Sequence, residues 1–158
     1  MLRLLGAVIT VLAALGYSAA MARDERARIN KCKCLCDFLC ECRLQVEQHS
    51  LPLDGILDGC AHTLPEGFIE SAKQDGFLSA VDSWKSKLLD GGEEREILAD
   101  FAQGFGRGLA DTEVKRCSEC IEKLKRHTEM LENSAKTDCK TRFAVSLCVS
   151  LMAVLFFA

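Results

Sequence analysis

Between Lys31 and Leu44 the chain reads KCKCLCDFLCECRL, five cysteines in eleven positions, and a further pair stands at Cys117 and Cys120 in CSEC. Thiols this close can hold a soft metal, form disulfides, relay electrons, or line a helix as small apolar residues. On a helix, Cys32, Cys36 and Cys42 fall on or beside one apolar stripe, with Cys34 and Cys40 to its sides, and cysteine is among the most buried residue types. Packing is therefore the leading expectation. The sharper alternative is a small metal-binding or redox-sensing protein: Cys32 and Cys36, or Cys36 and Cys40, one turn apart, meet Cys117 and Cys120 in a four-thiolate zinc site. Zinc ribbons hold their Cys-x-x-Cys pairs in tight turns rather than on helices, which counts against it. A thioredoxin-like role for CSEC lacks the βαβ frame that such chemistry uses.

Other chemistry is sparse. GFGRG at Gly104 to Gly108 has the glycines of a phosphate loop, but a helical pattern precedes it where a dinucleotide fingerprint needs a strand, so a tight turn between helices is expected. His49, His62 and His127 are scattered and are expected on the surface or in loops. No carboxylate pair stands out, and EER at Glu93 to Arg95 reads as a helix start in solvent. No enzyme and no small-molecule substrate or cofactor is implied. A net charge of -3 with mixed signs gives nucleic acid no basic face.

The elements that position these residues read as helices. Only two prolines occur, Pro52 and Pro65, and β-branched runs are absent outside the termini. From Ala22 to Gln48 no glycine or proline interrupts, and Ile29, Cys32, Cys36, Leu39 and Val46 follow three-and-four spacing, widened by Leu35 and Cys42. A short helix then starts near Ser50 and Pro52 and faces inward with Leu53, Ile56, Leu57 and Cys60. FIESAKQ and FLSAVDSWKSKLL make two more, the latter facing Phe77, Val81, Trp84 and Leu88 one way. Glu93 to Phe105 forms another, with Ile97, Leu98, Phe101 and Phe105 apolar. In the last helix Val114, Cys117, Ile121, Leu124, Thr128, Leu131, Ala135 and Asp138 form a seam that weakens toward its end.

The ends decide the compartment. Leu4 to Ala22 carries no charge and is long enough as a helix to match a bilayer core. Phe143 to Ala158 is also uncharged but spans roughly 24 Å against a core of ~30 Å, so it crosses with help from Thr141 and the stem of Arg142. Ala20-Met21-Ala22 has the small-x-small form of a leader-peptidase site, yet the preceding region is thinly charged. Arg23, Arg26, Arg28, Lys31 and Lys33 follow the first run, and Lys136, Lys140 and Arg142 precede the second. Cationic flanks stay cytoplasmic, so the expected layout is a span at 1–22, a cytoplasmic helical domain at 23–142 and a returning span at 143–158.

Several segments in this order resemble the stage III sporulation protein AB family of endospore-forming bacteria: the opening MLRLLGAVITVLAALGYSAA, QVEQHSLPLDGIL, AVDSW with Trp84, EILADFAQGFGRG, and a long last helix with an apolar tail. Leu109 stands where the family usually has Asp, Glu113 where it usually has Gln, and the cysteine crowd is not a family feature. The resemblance implies an all-α, membrane-anchored helical bundle similar to the cytoplasmic domains of the type II secretion inner-membrane platform protein. It implies a non-catalytic scaffold in the mother-cell membrane around the forespore. Its partners would be membrane lipid and other stage III A proteins, including the cytoplasmic ATPase of that operon. Phe105 and Arg107 are the candidate partner contacts.

Overall fold

A computed structural model of the chain describes residues 2–49, 53–60, 64, 65 and 67–157, the side chains at 2–8, 10, 11, 14, 49, 53, 85, 86, 143, 147, 150, 151 and 153–157 excepted. Every regular element among them is helical: α1 (Leu2–His49), α2 (Leu53–Gly59), α3 (Phe68–Asp75), α4 (Phe77–Leu88), α5 (Gly92–Gly104) and α6 (Ala110–Phe157). The expected N-cap Ser50 and first-turn Pro52, and His62, lie outside the described residues. Contacts divide the chain into two units, Arg28–Glu129 and Met1–Ala27 with Met130–Ala158.

The first of these units holds the core. The α1 stripe is buried as its spacing requires, with Ile29, Cys32, Leu35, Cys36, Leu39, Cys42 and Val46 all inside. The core also takes in Ile56 and Leu57 of α2, Phe68 and Ala72 of α3, Val81 and Leu88 of α4, and Leu98 and Ala102 of α5. In α6 the seam is buried at Cys117, Ile121, Leu124 and Thr128. Aromatic rings bind the short helices together. Phe77 sits 5.3 to 6.4 Å from Phe38, Phe68, Phe101 and Phe105, and Phe101 and Phe105 approach to 4.7 Å. Trp84 meets Phe68 edge-on at 6.2 Å and carries Lys87 Nζ 4.2 Å above its ring.

One polar cluster breaks this apolar interior. The Glu94 side chain is wholly buried near the start of α5 and is reached from α1 and α6. Arg28 Nε donates to its Oε1 at 2.7 Å, and the Cys32 thiol donates to the same oxygen at 3.8 Å. His127, also buried, places Nε2 3.2 Å from Glu94 Oε1 and Nδ1 3.2 Å from Glu93 Oε2, off the alignment of a hydrogen bond. Two sequence expectations are corrected here. Glu93 to Arg95 does start a helix, with Glu93 exposed, but Glu94 turns inward instead of into solvent, and His127 is not a surface histidine, because it shares the buried seam of α6.

In the second unit Arg142 Nη1 lies 2.8 Å from Glu25 Oε1, and its Nη2 lies 3.7 Å from Asp138 Oδ2. Ile9, Leu12, Leu15, Val145, Val149 and Met152 are exposed. Among the described residues no helix is long and apolar enough to cross a membrane. The two end runs expected to do so, 1–22 and 143–158, include positions outside the described residues.

Candidate partner-docking site

The connection from α5 to α6 is built around one carboxylate. Glu113, in the first turn of α6, is buried although glutamate is ordinarily exposed. Its Oε2 accepts the Gly106 amide at 3.2 Å, and its Oε1 accepts the Gly108 amide at 2.7 Å and Arg116 Nη1 at 3.1 Å. Arg116 also donates through Nη1 to the Gly104 carbonyl at the end of α5. Donors of a loop and an acceptor of a helix end are thus satisfied by one ion pair, and a carboxylate near a helix N-terminus is favoured by the helix dipole. Gly106 supplies the reversal, with φ at 80°, a conformation that a side chain would strain.

What the turn presents is defined by what it hides. Phe105, expected to contact a partner, is 4% exposed and packs on Phe77 and Phe101, so it belongs to the core. Arg107 is exposed in the turn. Leu109 is 81% exposed, an isolated apolar side chain that sequence reading set aside as a departure from a family pattern. Beside the turn lies a polar recess of about 300 Å³ lined by Asp100, Gln103, Gly104, Arg116, Glu119 and Lys123. Glu113 was missed as a determinant because nothing in its local sequence reveals that two amides point at it. Replacing Glu113 with Ala should cost about 1–3 kcal/mol and speed amide exchange at Gly106 and Gly108, read by hydrogen exchange. Gln at 113 should keep protection at one of the two.

Cys36, Cys117 and Cys120 are buried and Cys40 is half-buried, and among the described residues no three His, Cys, Asp or Glu side chains are arranged to hold a metal ion. Burial pushes the Cys36 thiol up to about 11 and those of Cys117 and Cys120 up to about 12. Protonated buried thiols are what packing residues look like. A second recess, about 320 Å³, is floored by Leu35, Leu64, Pro65 and Leu88. Its rim cations are engaged, Lys31 with Asp90 at 2.8 Å and Lys87 over Trp84, leaving few polar groups to orient a small ligand.

Among the described residues every regular element is helical, and a glycine turn joins the last two helices. Residues 3–158 match the family described as Stage III sporulation protein AB. The chain belongs to the stage III sporulation protein AB family. No curated protein and no solved structure matches it significantly. Membership extends over both units, so the latch formed by Glu113 and Arg116 lies within the family's own segment.

Proposed function

We propose that this stage III sporulation protein AB family member is a non-catalytic membrane component of the stage III A complex between mother cell and forespore, and that it docks partner proteins through the turn between α5 and α6. The observation that carries the reading is the pairing of a braced backbone with projecting side chains. Glu113 and Arg116 hold the turn from behind, while Arg107 and Leu109 stand in solvent. A preorganised loop loses little conformational freedom on binding, and arginine is enriched among the residues that carry interface binding energy.

The membrane assignment is supported by the uncharged run Leu4 to Ala22 and by the exposure of Leu12 at 63% and Met152 at 73%, apolar surface that suits lipid better than water. Basic flanks on the intervening segment support a cytoplasmic helical domain. The partners in this reading are the other stage III A proteins, including the cytoplasmic ATPase.

The test is a pull-down of co-expressed stage III A proteins with the Arg107→Glu variant. Recovery should fall at least tenfold, about 1.4 kcal/mol, while the helical circular-dichroism signal stays unchanged. Leu109→Ser should lower recovery in the same way. Unchanged recovery with both variants would exclude this turn as the docking surface.

A further inference from the structure

One cysteine of the crowd and one from outside it are brought together by the fold. Cys42 on α1 and Cys60, just past the end of α2, are both fully buried, and their sulfurs stand 3.6 Å apart. Neighbouring cysteines on one helix, such as Cys32 and Cys36, have Cβ atoms about 5–6 Å apart, whereas a disulfide needs ~3.8 Å. The crowd on α1 is therefore poorly placed to pair with itself. Cys60 is instead delivered from another element.

That delivery is specific. Ile56 and Leu57 anchor α2 in the core, and the Cys60 amide donates to the Ile56 carbonyl at 3.2 Å, which fixes the residue at the helix end. Gly59 lets α2 come close to α1: a Cβ there would sit 3.1 Å from Gln45 Nε2, which is itself tied to Glu41. We propose that Cys42 and Cys60 are an oxidisable pair, converted by hydrogen peroxide or a related small peroxide into a disulfide that clamps α2 onto α1. The sulfurs must close by roughly 1.5 Å to reach the ~2.05 Å of a disulfide, within reach of side-chain rotation.

The two thiols have unequal roles. The Cys42 thiol, held protonated by its hydrogen bond to Cys60 and by burial, donates to Cys60, and that bond is the chief cause of a Cys60 pKa below the ordinary thiol value, so ionisation is favoured there. Cys60 is the nucleophile. Its thiolate attacks one peroxide oxygen, the O–O bond breaks, and hydroxide leaves to become water with the proton that Cys60 gave up. Sulfenic acid forms on Cys60, its sulfur oxidised by two electrons as the peroxide is reduced. The Cys42 sulfur then attacks that of Cys60. The S–S bond forms, the S–O bond breaks, and the departing hydroxide takes the Cys42 proton as a second water. Because both sulfurs are buried, peroxide reaches them through local opening of α2, so the reaction is slower than at exposed Cys34, Cys139 and Cys148.

The experiment uses the full chain in detergent with Cys34, Cys139 and Cys148 replaced by serine, exposed to hydrogen peroxide, alkylated and mapped by peptide mass spectrometry. The expected result is a Cys42–Cys60 linked peptide, two fewer alkylated thiols than in the untreated sample, and full recovery with dithiothreitol. In a further Cys42→Ala variant, Cys60 should stop at sulfenic acid, trapped as its dimedone adduct. A folded sample, verified by circular dichroism, in which both thiols remain alkylatable overturns the proposal. So does a linkage of Cys42 to Cys117 in place of Cys60, or a link that forms only after unfolding in urea.

Discussion

Replacing Glu94 with Ala should remove about 3–5 kcal/mol of folding stability, because it strands the Arg28 guanidinium beside a site that no longer carries a counter-charge and leaves His127 without the carboxylate it faces. Urea unfolding of the full chain followed by circular dichroism measures this. Burial alone would push the Glu94 carboxyl up. The Arg28 hydrogen bond, the residue's own backbone amide, the Arg28 charge and His127 outweigh it and hold the group below the ordinary carboxylate range. The fold thus favours the ionised form. Its contribution is whole above the unfolded glutamate's titration, and is lost as pH falls through the depressed native value. Glu94→Gln, which cannot ionise, should flatten the acid limb of the stability profile while keeping most of the side-chain shape. An acid limb unchanged in Glu94→Gln would assign it to other carboxylates.

Phe77→Ala should cost about as much, roughly 3–5 kcal/mol, since it opens a cavity where four other rings meet. The loss reaches across α1, α3, α4 and α5 together, so the unfolding midpoint should drop for all helical signal at once. Phe105→Ala shares this cluster. Any fall in partner recovery with that variant therefore reports destabilisation, whereas Arg107→Glu leaves the core intact.

The helices were legible because their apolar positions repeat at three and four residues. The α1 stripe from Ile29 to Val46 is buried as read, and the seam of α6 fades where Leu131 and Ala135 become half-exposed. Phe105 carries two expectations, an apolar position at the end of α5 and a partner contact in the glycine turn, and the approach of α4, which brings Phe77 against it, assigns it to the core. Glu94 and His127 escaped notice. Each sits among ordinary charged residues, and their partners lie 33 to 66 positions away. Burial of a charge is decided by elements that local spacing does not name. The cysteines show the opposite case: their packing role followed from the stripe, but the meeting of Cys42 with Cys60 required α2 to fold back.

A five-residue surface connection rich in glycine ordinarily accepts extra residues, which makes it an attractive place for an epitope tag. Here the Gly106 and Gly108 amides must both reach one carboxylate while the Gly104 carbonyl meets Arg116. Lengthening the connection by a single residue shifts those groups out of phase, so its length is as constrained as its composition.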